Sequence, residues 1–333
     1  MAKASWGMVI DVDKCTGCQA CVVACQSENN IPINEEAHFN QRRAIEWIRV
    51  ERYWEGEFPD VKARFIPILC QHCDDAPCEP VCPVFATYHN EEGLNVQVYN
   101  RCVGTRFCSN NCPYHVRFFN FWEPAWPESL KNQLNPDVTV RSRGIMEKCT
   151  FCVQRIRRTT REAERDGAYL TDNDRALNPA CVNACPTEAL VFGDLNQPES
   201  RVAKIQDREL RENGRGYHML ESLGTNPSVV YLKKVDKHEL FVGVGTLVAM
   251  NTLSAGWKYY LLDSPIHLYS VVSIQGIAGM GGGFISPFLS VGAEKSITDK
   301  LYINLGLNTV IRVYRNRPIE LVPFPNVNLN WRY

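Results

Sequence analysis

The residues able to do chemistry in this 333-residue chain are its fifteen cysteines, all between Cys15 and Cys185, in four clumps. The first is CTGCQACVVAC, with Cys15, Cys18, Cys21 and Cys25; the second is CQHCDDAPCEPVCP, with Cys70, Cys73, Cys78 and Cys82. The third, RCVGTRFCSNNCPY, has Cys102, Cys108 and Cys112. The fourth is split into CTFC (Cys149, Cys152) and CVNACP (Cys181, Cys185). Four motifs of four would need sixteen cysteines, and the gap falls at Thr105, where the run C-x2-C-x2-C-x3-C-P calls for its second cysteine. Pro83, Pro113 and Pro186 follow the last cysteine of their motifs and turn the chain away, whereas motif one has Gln26 in that place.

That spacing suits iron–sulfur clusters. The irons of a cubane are close together, so three thiolates must come from one tight loop, and in two-cluster ferredoxins the cysteine before proline ligates the other cluster. Structural zinc uses separated C-x2-C pairs, and two pairs sharing a cysteine would crowd one tetrahedral ion. An odd cysteine count in a long chain also argues against a pure disulfide framework.

The stretches CTGCQACVVACQSENN, CQHCDDAPCEPVCP, EKCTFCVQRI and CVNACPTEAL resemble the four-cluster ferredoxin subunit of the molybdopterin oxidoreductase complexes over roughly residues 5 to 232. Within that family, RCVGTRFCSNNCPYHVRFFNF and SLGTNPSVVYLKKV most resemble the iron–sulfur part of the B subunit of alternative complex III. The resemblance implies that motif one pairs with motif four and motif two with motif three. One cluster then takes Cys15, Cys18, Cys21 and Cys185; a second takes Cys149, Cys152, Cys181 and Cys25; a third takes Cys70, Cys73, Cys78 and Cys112. The fourth is left with Cys102, Cys108 and Cys82. Three thiolates suit a [3Fe–4S] cluster, so the expected cofactors are three [4Fe–4S] clusters and one [3Fe–4S] cluster. The alternative is four [4Fe–4S] clusters, with water or the Thr105 hydroxyl on the last iron.

The resemblance further implies an electron-transfer subunit of a membrane-associated, quinol-oxidising respiratory or photosynthetic complex. Its expected partners are an integral membrane quinol-binding subunit and c-type cytochrome subunits. The alternative is a relay between the quinone pool and a molybdopterin catalytic subunit of the polysulfide, dimethyl sulfoxide or formate type. The expected location is peripheral on a bacterial inner membrane, on the periplasmic face. No Ser/His/Asp or paired-carboxylate arrangement offers a substrate site of the chain's own.

Several polar residues beside the ligands could tune a cluster: Arg101, Arg106, Lys148 and Arg155. A surface salt bridge is the competing role for each. His72 and His115 also lie beside ligands, but the cysteines already fill the sites, so neither is expected to ligate.

The elements that position these residues are expected to be short helices and small β-ribbons, in two pseudo-equivalent halves around two clusters each. The whole is expected to be an α+β, double ferredoxin-like domain over residues 1–235, with ligation replacing much of an apolar core. VQRIRRTTREAERDG (153–167) reads as a charged helix ended by Gly167. It is expected to be solvated, with docking to a partner subunit as the other reading. Net charge is −1, which gives no bulk attraction to nucleic acid. The N-terminus shows no basic-then-apolar leader, and no run of about 18 apolar residues predicts a membrane-spanning helix.

Residues 236–333 read differently. The last 148 residues contain no cysteine, and 264–293 contain no Asp, Glu, Lys or Arg. LYINLGLNTVIRV (301–313) alternates apolar Leu301, Ile303, Leu305, Leu307, Ile311 and Val313 with Asn304, Gly306, Asn308 and Arg312, the period of a strand. NVNLNWRY (326–333), ELFVGVGTLVA (239–249) and PIHLYSVVSIQGIAG (265–279) read alike. The expectation is an antiparallel β-rich domain of about six strands, with a barrel-like or subunit-docking role open. Gly243 and Gly245 lack the third glycine of a dinucleotide fingerprint, and GMGGG (279–283) lacks a following helix pattern, so both are read as strand or turn glycines.

Overall fold

The computed structural model describes residues 4–58, 61–167, 175–211, 214–233, 238–247, 250–260, 267–279, 282–296, 301–312 and 320–331. The chain divides into two compact units, one comprising Met1–Arg211 with Arg215–Lys234, the other containing Val235–Tyr333.

The first unit is built on WGMVID (Trp6–Asp11), a strand buried along its whole length. It pairs antiparallel with Leu190–Asp194 and parallel with Val229–Leu232, to which Gly216–Tyr217 adds an edge. The two ends of the unit's sequence are therefore neighbours in its central sheet. The two-residue side-chain period divides the sheet's burial between two faces. Met8 and Ile10 join the main core with Trp6, Phe192 and Tyr231, and Trp6 stacks on Phe192 at 5.5 Å. Val9 faces the other way, into a small cluster with Val191, Val202, Val230 and Leu232. Val202 belongs to the Arg201–Glu209 helix, whose Ser200 cap accepts from the Ala203 amide at 3.1 Å.

The cysteines sit on short pieces around this sheet. Ala20–Glu28 carries Cys21 and Cys25, Phe107–Asn110 carries Cys108, and Ala180–Asn183 carries Cys181. Val153–Asp166 begins immediately after Cys152 and ends at Gly167, held at φ 63. Three two-stranded ribbons complete the frame: Ile48–Glu55 with Lys62–Leu69, Thr87–His89 with Asn95–Gln97, and Phe118–Phe119 with Met146–Glu147. Ten of the fifteen cysteines are buried, so thiols make up a sizeable part of the core. Among the described residues no helix is long and apolar enough to cross a membrane.

The second unit is a six-stranded antiparallel meander in sequence order: His238–Leu247, Met250–Tyr260, His267–Gly279, Gly282–Ser296, Leu301–Arg312 and Glu320–Trp331. The period-two run beginning at Leu301 is a strand registered against Trp331 at one end and Glu320 at the other. The outer positions of the predicted runs (Val248, Ala249, Pro265, Ile266, Val313, Arg332, Tyr333) lie outside the described residues, as do Met280 and Gly281 of the glycine cluster.

Candidate iron–sulfur centres

All three Cys-Pro motifs fold into the same turn. Phe85, His115 and Glu188, three residues after Cys82, Cys112 and Cys185, hold positive φ of 48, 51 and 50. This left-handed backbone is costly for non-glycine residues. It aims the next amide back at sulfur: the N–H groups of Ala86 and Ala189 donate to Cys82 Sγ and Cys185 Sγ at 3.2 Å, and that of Val116 reaches Cys112. Motif one has Gln26 in place of the proline, and there the chain continues as a helix, spending the Asn29 amide on the Cys25 carbonyl. The missing donor is replaced by the Asn29 side chain, whose Nδ2 lies 3.6 Å from both Cys25 Sγ and Cys152 Sγ.

The thiols gather in sets drawn from distant parts of the chain. Burial pushes Cys21 up to about 12, and the neighbouring Cys15, Cys185 and Cys18 add to the rise. Burial likewise raises Cys25 well above the usual thiol range, reinforced by Cys149, Cys152 and Cys181. Cys73 and Cys78 are raised to about 12 and about 11, again by burial first, with Cys70 and Cys112 contributing to both. Cys70, Cys73, Cys78 and Cys112 also line one small cavity with Pro77 and Pro113. Cys82, Cys102 and Cys108 are reached by different donors. Burial acts to raise Cys82, but the Val84, Ala86 and Thr87 amides and Arg117 outweigh it and lower its pKa. The Met146 N–H donates to Cys102 Sγ at 3.4 Å. Thr105 is exposed in the loop between Cys102 and Cys108. That loop depends on Gly104, at φ +72, where an added Cβ would run into the Gly144 carbonyl.

These surroundings fit clusters. Sulfurs gathered this closely repel one another when ionised, and bound iron neutralises that repulsion. Among the described residues no three Cys, His, Asp or Glu side chains are placed to hold a single ion.

The side chains between the thiols were only partly visible in the sequence. Lys148 is fully buried and donates to the Cys149 carbonyl at 2.8 Å. Arg155 pairs with Glu28 at 3.2 Å beside Cys152. Arg106 lies over the Phe119 and Phe121 rings, and Arg101 is exposed. His72 is fully buried, stacked on Phe151 at 3.9 Å, and kept neutral by burial and by Lys148. His115 is exposed on its Cys-Pro turn.

Sequence reasoning missed three further residues in and around the centres. Asn29 had a local signal, four residues after the cysteine that lacks its proline. Arg117 had none: it is buried, Nη1 donates to Cys78 Sγ at 3.1 Å, and it also hydrogen-bonds Cys108. Burial opposes its charge, and the Cys78, Cys108 and Cys70 sulfurs favour it when they are thiolates. The third is Arg141, paired with Glu147 just ahead of Cys149.

Two family models, each described as a 4Fe-4S dicluster domain, match residues 14–86 and 61–125. The chain is 46% identical over 237 residues to the menaquinone reductase, iron-sulfur cluster-binding subunit of Nitratidesulfovibrio vulgaris, covering 70% of this chain and 90% of that one. It is 38% identical over 250 residues to the Hdr-like menaquinol oxidoreductase iron-sulfur subunit 1 of Archaeoglobus fulgidus, covering 69% and 84%. It is 35% identical over 255 residues to the arsenate respiratory reductase iron-sulfur subunit of a Shewanella species, covering 68% and 95%.

Proposed function

We infer the function from the premise that the chain belongs to the ferredoxin-type iron–sulfur subunits of menaquinone and molybdopterin-type oxidoreductase complexes. It is a one-electron relay between a quinone site on an integral membrane partner and a second redox subunit. Its ligand sets are Cys15, Cys18, Cys21 and Cys185; Cys149, Cys152, Cys181 and Cys25; Cys70, Cys73, Cys78 and Cys112; and, for a [3Fe–4S] cluster, Cys102, Cys108 and Cys82. The clusters supply one-electron storage; the chain's own residues hold them, shield them from water and set their potentials.

The observation that carries this reading is the company Cys25 keeps. Its thiol is surrounded by Cys149, Cys152 and Cys181, more than 120 residues away in sequence. A set of four buried thiols assembled from two motifs has a ready use in holding a cluster.

The relatives' names favour the menaquinone pool as one terminus, and the resemblance to the four-cluster subunits of molybdopterin oxidoreductases favours a molybdopterin-type catalytic subunit as the other. The third motif, RCVGTRFCSNNCPYHVRFFNF, supports a second reading by its resemblance to alternative complex III: electrons passing from quinol to c-type cytochromes. In either case the chain is read as peripheral on the periplasmic face of a bacterial inner membrane.

Low-temperature EPR on the air-oxidised protein, with iron and sulfide analysis and a titration with menadiol, tests the relay. A near-isotropic three-iron signal of about one spin per chain, and clusters reduced by the quinol, are expected. An iron-free protein, or clusters that menadiol does not reduce, would sink the proposal.

A further inference from the structure

A cleft of about 820 Å³ in the first unit lies between the Thr87–His89/Asn95–Gln97 ribbon and the Val153–Asp166 helix and shares only Asn95 with the lining of the thiol cavity. One wall is the consecutive run Leu94–Asn100, which starts as the Asn95–Gln97 strand and winds into a 3-10 helix at Tyr99. The other carries Arg157, Arg158 and Arg161. Arg158 is bound to Asp137 at 3.1 Å. Arg157 and Arg161, one helical turn apart and both exposed, have no hydrogen-bond or ion-pair partner among the described residues. The acidic side chains in the cleft are Asp137, already engaged by Arg158, and Glu162 on the same helix. Two guanidiniums without a partner among the described residues, in a cleft also lined by Asn90, Asn95, Gln97 and Asn100, suit carboxylates presented in series.

We propose that this cleft is a docking groove for an extended acidic segment of a partner protein, with carboxylates seated on Arg157 and Arg161. Its elongated wall fits a polypeptide laid along the ribbon, and its charge selects an acidic one. The cleft also contains Asn29 and Asn95. Asn29 Nδ2 contacts Cys25 Sγ and Cys152 Sγ, and Asn95 Nδ2 lies 3.7 Å from Cys78 Sγ. A docked acidic segment therefore adds negative charge to a cleft whose lining reaches two thiol sets, and lowers the potential of whatever they hold. That consequence rests on the cluster reading above; the docking itself does not.

The test is fluorescence anisotropy of a fluorescein-labelled hexaglutamate peptide with the iron-loaded full chain. Saturable binding is expected, weakened at least tenfold by Arg157→Gln/Arg161→Gln and by added salt, and largely kept by Arg157→Lys/Arg161→Lys. Iron content and thermal midpoint should match across the three proteins. Binding unchanged in the Gln variant would overturn the proposal. So would displacement by pyrophosphate at the same concentration as unlabelled peptide, which would make the cleft a small-anion site. An EPR-monitored titration with and without peptide reads the coupling: a downward shift in the wild type that the Gln variant lacks. A chain that binds peptide yet holds no iron would refute the relay while leaving the groove intact.

Discussion

Arg117 donates to the Cys78 sulfur at 3.1 Å from a buried position and also hydrogen-bonds Cys108. One positive charge therefore serves two thiols assigned to different clusters. At roughly 5 Å and an effective dielectric of about 20, a unit charge contributes ~3 kcal/mol. For a one-electron couple that is on the order of 100 mV. Arg117→Met should lower the potentials of both clusters by that order, and Arg117→Lys by less. EPR-monitored redox titration reads both, and a shift confined to one cluster would show that the charge is not shared.

Asn29 should act more gently. Asn29→Ala removes a neutral donor from Cys25 and Cys152, about 1 kcal/mol of hydrogen bonding. The expected result is a fall of ~40 mV in one cluster. Asn29→Asp, which removes the donor and adds charge, should lower it further. The same titration separates the two variants.

The Arg141–Glu147 pair, 2.9 Å apart and fully buried, is structural. Glu147 also accepts from Trp47 Nε1 at 3.1 Å and Asn120 Nδ2 at 2.8 Å. Arg141 donates to the carbonyls of Asn29, Asn30 and Thr139. The pair thus ties the segment after Cys25 to the segment before Cys149. Glu147→Leu leaves a buried guanidinium uncompensated and should cost about 3–5 kcal/mol in urea unfolding, with loss of iron. Arg141→Met/Glu147→Leu should cost less than the sum of the single changes.

On the three-iron assignment proposed above, Thr105→Cys supplies a fourth thiolate. The near-isotropic signal expected of the oxidised protein should then be lost, and iron should rise by one per chain. An unchanged EPR spectrum and iron content would mean that the Thr105 position does not face a cluster corner.

His89 supplies a pH dependence. The Glu79 contact, at 3.6 Å, raises its pKa, with Asp74 at 3.4 Å adding to this and burial opposing it. A raised folded-state pKa stabilises the protein below the unfolded value near 6.5, and the gain is lost as pH rises through the folded value. His89→Gln should therefore destabilise the protein at pH 5.5 and change little at pH 8.5. Urea midpoints at the two pH values check the sign.

Some features were legible because they are local. The helix after Cys152 and its stop at Gly167 follow from charge pattern and a left-handed cap, and the strand from Leu301 follows from period-two alternation. The shared Cys-Pro turn was half legible: proline announced a change of direction, but the positive φ at Phe85, His115 and Glu188 follows from aiming an amide at sulfur.

By itself, the sequence determined which thiols lie in one tight loop, because two or three intervening residues leave the backbone few conformations. It also determined where the repeated motif lacks a cysteine, at Thr105. Which distant thiols meet, and which charges stand between them, only the tertiary structure decided. Cys25 comes to Cys149, Cys152 and Cys181, Arg117 to Cys78, and Arg141 to Glu147 and Asn29 through the packing of ribbons and short helices around the Trp6–Asp11 strand. Local spacing cannot encode such pairings, since a buried charge or thiol acquires its partners only when the whole core closes and water leaves.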